Sequence, residues 1–201
     1  EIAKSPLADK HRSDIWSEHC GVFLTKHHMH LNVSDEEKAE ARRLLMSKIT
    51  SPSAPILALC PISAQIGKDL SGPVMMDVVL RLWQRGCNVV CLHTKRIPEM
   101  EKIGCPVINT LGIRKWISAL AASDYVVSVD TAAFHCAGGL GRPLTGVFTY
   151  CDGKVYGKYF DFELVQKHRD NGDWSCGPCF NWGACTRDNS GCAIKPCAKE
   201  I

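Results

Sequence analysis

One segment, residues 125–148, constrains the fold of this chain more than any other part of the sequence. The apolar, β-branched run 125–129 is followed by Asp130-Thr131, a stretch of small residues and a second apolar run, 144–148. Short apolar runs of this kind are typical of strands buried in a parallel sheet. The segment therefore predicts a strand, a turn, a helix and a second strand.

The predicted turn carries polar residues at a place where α/β proteins bind ligands. Open parallel sheets bind ligands outside the carboxyl ends of their strands. Asp130 or Thr131 can cap the helix that follows, and the N–H groups of its first turn attract anions. His135, in or near that first turn, adds a donor or a positive charge. These residues predict a phosphate site, although a core histidine and a purely structural helix cap are the alternatives.

A second polar loop is expected at the same edge of the sheet. The apolar run 56–60 predicts a strand, and the loop after it contains Ser63 and Lys68. Lys68 can place a charge against a diphosphate, and Ser63 can add a hydroxyl group. The glycine and lysine spacing of a P-loop is absent. The alternative is a solvated surface lysine.

The rest of the chain alternates helical and strand patterns. Ser34 and Glu37 have the spacing of a capping box and predict a helix start. Four or five β-α units in series indicate an α/β fold with a doubly wound, Rossmann-like parallel sheet. No periodic pattern is visible in residues 1–33, and the pattern fades after residue 148. The remaining predicted elements are helices at 72–85, 98–103 and 113–122 and strands at 88–92 and 107–109.

Composition limits the functional classes. The chain has 201 residues, 45% of them hydrophobic, which indicates a globular protein with a real core. A formal net charge of +3 favours anionic ligands only weakly and gives no case for nucleic-acid binding. No apolar run approaches membrane-spanning length and no signal peptide is visible.

Five of the twelve cysteines crowd into the last part of the chain. Their first two members have the two-residue spacing of a zinc knuckle, whereas the later spacings are less regular. A structural zinc site is one interpretation, and loose reduced thiols are the other. The helix–strand alternation argues against a secreted disulfide scaffold and favours a reducing cytoplasm. The five cysteines are Cys176, Cys179, Cys185, Cys192 and Cys197.

The segment 126–135 resembles the Asp-Thr/Ser-Gly-x-x-His signature of glycosyltransferase family 9, the heptosyltransferases of lipopolysaccharide core synthesis. That family has the GT-B fold, in which two Rossmann-like domains enclose a sugar nucleotide. The resemblance covers nearly the whole chain and identifies it as the C-terminal, donor-binding half. It implies three regions: an N-terminal extension, helix and linker (1–54), a nucleotide-sugar-binding domain (55–160) and a cysteine-rich tail (161–201).

The resemblance also implies a donor site. It assigns the diphosphate to the loop with Ser63 and Lys68 and to the turn after the fourth strand, the ribose to Glu99 and the base to Leu111. Ala132 stands where many members have glycine. Since like charges repel, Asp130 is expected at a hydroxyl group rather than at the diphosphate. The residues of the turn are Asp130, Thr131, Ala132, Ala133 and His135.

The activity implied is inverting transfer of a sugar from a nucleotide-diphospho-sugar, similar to ADP-heptose, to a glycan or lipid-linked acceptor. The family's catalytic base lies in the N-terminal domain, so no residue here is expected to be catalytic and the isolated chain is expected to be inactive. No metal is required for the reaction. The expected location is the cytoplasm, with peripheral attachment to the inner membrane as an option. Two alternatives stand beside this reading: a stand-alone nucleotide-binding or regulatory module, and a zinc-stapled interaction module.

Overall fold

A single parallel sheet organises the molecule. The computed structural model describes residues 10–27, 29–64, 68–109, 112–149 and 151–166. Within these ranges six strands pair in the order β3-β2-β1-β4-β5-β6, and every pair is parallel. The strands are β1 (Ile56–Cys60), β2 (Asn88–Leu92), β3 (Val107–Ile108), β4 (Tyr125–Val129), β5 (Leu144–Phe148) and β6 (Glu163–Gln166).

The direction in which successive strands are added to the sheet reverses between β1 and β4. From β1 the chain moves outward through β2 to β3, then returns to the other side of β1 with β4 and continues to β5 and β6. Cys60, the last residue of β1, pairs with Ser128 near the end of β4. The carboxyl ends of β1 and β4 therefore lie side by side, at the topological switch point where this class of sheet binds ligands.

Helices cover both faces of the sheet. Residues of β1 alternate between two buried clusters, as expected for a strand covered on both sides. Residues of α2, α5 and α6 pack in one cluster and residues of α3 and α4 in the other. None of the helices in the described ranges has the length and apolar character needed to span a membrane. The helices are α1 (Arg12–Cys20), α2 (Asp35–Met46), α3 (Gly72–Gln84), α4 (Pro98–Lys102), α5 (Ile113–Ala122), α6 (Ala132–Gly139) and α7 (Gly153–Tyr156).

The central elements agree with the sequence predictions. β1, β2, β4, β5 and α5 have the predicted bounds, and the doubly wound, Rossmann-like sheet is confirmed. The capping box of α2 is present, because the Ser34 hydroxyl accepts from the Glu37 amide at 3.2 Å and the Glu37 carboxylate accepts from the Ser34 amide at 2.9 Å.

The structure contains three elements that the sequence patterns did not reveal. α1 buries none of its residues, so it has no apolar face for periodicity to detect. α7 has only one turn. β6 alternates between exposed and half-buried residues at the end of the sheet and lies beyond residue 160. These elements lie in residues 1–33 and after residue 148, where no pattern was visible.

Candidate functional site

Lys68 and Asp130 meet at the switch point of the sheet. Lys68 lies in the loop that follows β1, and Asp130 directly follows β4. The Lys68 ammonium lies 2.7 Å from Oδ2 of Asp130. The contact is an ion pair rather than an aligned hydrogen bond. The two predicted loops are therefore brought together at one edge of the sheet.

The ion pair is largely removed from water. Lys68 is 9% exposed and Asp130 is 5% exposed. Burying two charges is costly, and such a pair is retained only when the groups compensate each other. The surface-lysine alternative for Lys68 is therefore wrong. An ammonium group can donate three hydrogen bonds, so contact with Asp130 is compatible with contact to a phosphate oxygen.

His135 lies on the other side of Asp130. Its Nε2 atom is 3.9 Å from Oδ1 of Asp130, and its side chain is 30% exposed. Burial lowers the pKa of His135 below 6.5. The Asp130 carboxylate opposes that shift, whereas the positive charges of His11, Lys68 and Arg12 add to it. The ring therefore lies close to the positive charges of Lys68 and Arg12 as well as to Asp130, and positive charges favour an anionic ligand.

The first turn of α6 faces the same edge. Thr131 occupies the N-cap position, but no side chain caps the helix, so the predicted cap by Asp130 or Thr131 is wrong. The first N–H groups of a helix have no partner within the helix and carry its positive dipole end. Ala132 is exposed and Ala133 is buried in the core, so Ala133 can offer a ligand only its backbone. The turn keeps the character of an anion site.

The structure adds residues to this edge that sequence reasoning missed. Cys151 and Tyr156 are buried in the same cluster as Ala133. Burial raises the pKa of the Cys151 thiol to about 12, so it is not a thiolate nucleophile at neutral pH. Arg12 of α1 lies over Tyr156, with its Cζ atom 5.5 Å from the ring centroid. The one sequence signal for α1 was Gly21, which ends the helix in a left-handed conformation.

The structure gives less direct evidence on the other residues predicted for the donor site, Ser63, Glu99 and Leu111. The Ser63 amide donates to the carboxylate of Asp69, the residue after Lys68, at 2.6 Å. The Glu99 side chain packs against Gly72 at the start of α3, where an added Cβ would lie 2.7 Å from its Cγ. Leu111 lies outside the described residues.

No group of three or more metal-ligating side chains occurs in the part of the chain that the structure describes. The cysteines there carry free thiols. Cys176, Cys179, Cys185, Cys192 and Cys197 lie outside the described residues, so the zinc site stays a prediction.

Comparison with known proteins connects this geometry to one family. The sequence matches the model of glycosyltransferase family 9 (heptosyltransferase) over residues 12–181. A glycosyl transferase family 9 structure from Veillonella parvula has a similar fold, with a TM-score of 0.64 and 14% identity over 79% of this chain and 49% of that chain. A search of curated proteins finds no match.

Two structures from E. coli are similar as well. ADP-heptose lps heptosyltransferase II matches with a TM-score of 0.55 and 16% identity, over 71% of this chain and 46% of that one. Heptosyltransferase WaaC with ADP matches with a TM-score of 0.51 and 14% identity, over 77% and 48%. At these identities the likeness shows the fold alone. The chain spans about half the length of the solved structures that it matches.

The match to the family model covers most of the sequence, and the fold is similar to that of a solved structure of the family. The chain belongs to glycosyltransferase family 9, the heptosyltransferase family.

Proposed function

We propose that this chain is the donor-binding domain of an inverting glycosyltransferase and that it binds the diphosphate of a sugar nucleotide. The observation that carries the proposal is the convergence of Lys68 and His135 on Asp130, at the first turn of α6. Membership of the family supports the class of ligand.

The chemistry assigned to this domain is stabilisation of the leaving group. The acceptor hydroxyl oxygen attacks the anomeric carbon, and the bond from that carbon to the diphosphate oxygen breaks. The electron pair leaves with the nucleoside diphosphate, and the hydroxyl proton passes to a base outside this chain. Lys68, His135 and the N–H groups of α6 face the charge that grows on the diphosphate, which is the arrangement that lowers such a barrier. Asp130 holds Lys68 in position without touching the diphosphate.

Catalysis is expected to need a second domain. The chain spans about half the length of the family structures that it matches. The proposal therefore gives donor binding to this chain, and the acceptor site and catalytic base to a separate N-terminal domain. A heptose-type donor, a lipopolysaccharide-type acceptor and a cytoplasmic location belong to the same proposal and rest on the family alone.

Calorimetric titration of the 201-residue chain with ADP, UDP and GDP tests the proposal. We expect one of them to bind, and expect Lys68→Gln and His135→Asn each to lower its affinity by about tenfold, the loss of one charge-assisted contact. Lys115→Gln on α5, an exposed lysine 3.9 Å from Glu40, is the charge-matched control and should bind normally. Thermal melting of each variant establishes that it is folded. The proposal fails if no nucleoside diphosphate binds or if both site variants bind as well as the unmodified chain.

A further inference from the structure

α1 supplies a basic residue to the edge of the sheet that carries Lys68 and His135. Arg12, the first residue of α1, packs its guanidinium group over the ring of Tyr156 and lies 3.5 Å from the Tyr156 hydroxyl. Tyr156 is only 9% exposed and belongs to the buried cluster that includes Ala133 of α6. Arg12 is therefore attached to a residue of the buried cluster into which the first turn of α6 also packs.

A set of polar contacts holds α1 in this place. Asp14, two residues after Arg12, accepts from the Tyr159 hydroxyl at 2.5 Å and from the Lys158 ammonium at 2.9 Å. His27 lies 3.0 Å from the same carboxylate and stacks on the Tyr159 ring at 4.6 Å. α1 buries none of its own residues, so apolar packing does not explain why it lies here. These contacts provide the anchor instead.

The chain segment after Tyr159 continues the same wall to His135. The ring of Phe160 lies 6.1 Å from the ring of His135 and 5.8 Å from that of Phe134. α1, the segment 156–160 and the first turn of α6 are thus contiguous. Burial is the main cause of the lowered pKa of His135; His11, Lys68 and Arg12 are close enough to add to that shift, and the carboxylate of Asp130 opposes it.

Arg12 brings a permanent positive charge to the edge that already carries Lys68 and His135, and this points to an anion that touches more than those two residues. We propose that Arg12 is a third basic residue of the diphosphate site and that Asp14 is its positioning residue, which acts by fixing α1 against Lys158 and Tyr159. The inference rests on the proposed function, because it assumes a nucleoside diphosphate at this edge. A planar guanidinium suits the oxygens of a phosphate better than an ammonium does, since it can donate two parallel hydrogen bonds.

The test compares ADP with adenosine by calorimetry on the full chain, or UDP and GDP with their nucleosides if either diphosphate binds more tightly. Arg12→Gln should lower diphosphate affinity by about tenfold and nucleoside affinity by less than about twofold, and Arg12→Lys should recover part of the loss. Asp14→Asn should also weaken diphosphate binding. The double variant, Arg12→Gln with Asp14→Asn, should lose little more diphosphate affinity than Arg12→Gln alone. Arg81→Gln, which removes the same charge from an exposed pair within α3, is the matched control.

A second readout does not depend on ligand. NMR titration of the His135 ring in the free protein should show a higher pKa in Arg12→Gln than in the unmodified chain, and no change in Arg81→Gln. If the unmodified chain binds no nucleoside diphosphate, the proposed function itself fails. If the unmodified chain binds and Arg12→Gln binds equally well, only this inference is overturned. An equal loss for the nucleoside and its diphosphate would likewise overturn it, because that pattern indicates a general structural effect.

Discussion

The ammonium group of Lys68 lies 2.7 Å from the carboxylate of Asp130, and this contact joins the loop after β1 to the turn after β4. Both side chains are buried, so the pair is a structural connection as well as a part of the proposed ligand site. A ligand that recruits Lys68 therefore acts on a residue whose position is already fixed.

Asp130→Asn should destabilise the fold, because it leaves the buried Lys68 ammonium without its counter-charge. Removal of one partner of a buried pair costs about 3–5 kcal/mol, and urea unfolding should show a loss of free energy of about that size. Asp77→Asn, which breaks the exposed pair with Arg81, should cause little change. Equal effects of the two substitutions would mean that the buried pair contributes no more to the free energy of unfolding than the exposed pair does.

The free energy of unfolding should decrease as the pH falls from about 7.5 to about 5.5. Burial lowers the pKa of both His11 and His135 from 6.5. As the pH falls, the two imidazoles are therefore protonated in the unfolded chain before they are protonated in the folded one. The stability that the neutral histidines contribute is lost between pH 6.5 and their folded-state pKa values. His11→Asn with His135→Asn should flatten that dependence. Asn suits position 11, where the His11 ring accepts from the Ser13 amide at 3.2 Å as a helix cap. An unchanged slope in the double variant would contradict the prediction.

Two adjacent glycines of α6 should respond differently to alanine. A Cβ at Gly138 would lie 2.5 Å from Cγ of Phe160, whereas at Gly139 the nearest atom, in Met29, would lie at 3.2 Å. Both substitutions gain about 1 kcal/mol of helix propensity, so their difference isolates the steric conflict. We expect Gly138→Ala to unfold about 1–3 kcal/mol more easily than Gly139→Ala in urea. Because Phe160 lies beside His135, Gly138→Ala should also weaken diphosphate binding; equal stability and affinity in the two variants would argue against this.

Gly72→Ala should disturb ribose recognition through Glu99, because the new methyl group would displace the Glu99 side chain. If Glu99 holds the ribose, Gly72→Ala and Glu99→Gln should each lower ADP affinity several-fold, and the double variant should lose no more. The loss should shrink with 2′-deoxyADP, which lacks one of the hydroxyl groups. Glu101→Gln, on the same helix and paired with Arg96 at the surface, is the control. A full loss that persists with 2′-deoxyADP would show that Glu99 does not act through the 2′-hydroxyl group.

The sequence was most informative in the central strands of the sheet, where most residues are buried. β1 and β4 are short apolar runs bounded by polar residues, and the carboxyl ends of parallel strands share one edge, so the neighbourhood of Lys68 and Asp130 could be predicted. The direct ion pair between Lys68 and Asp130 could not be predicted, because it depends on the conformation of the loop after β1.

The contribution of α1 was beyond sequence reasoning for a different physical reason. Its position depends on contacts of Asp14 and of the His11 ring with Tyr159, which lies more than 140 residues later in the sequence. Polar contacts of this kind leave no periodic pattern. The cap expected from Thr131 failed because an N-cap position does not by itself fix the side-chain rotamer.

The pairing of β1 with β4 has a consequence for how the protein is made. β2, β3 and the three helices α3, α4 and α5 are synthesised before β4 can join β1. Pairing of strands so distant in sequence is slow, since the intervening loop must close first. Under the proposed function, nucleotide affinity is therefore an indicator of completed folding. A nascent chain that still lacks β4 is expected to have no nucleotide affinity, and so is a chain that has been cleaved between β1 and β4 and has dissociated. Added nucleotide should therefore protect only the completely folded protein from proteolysis.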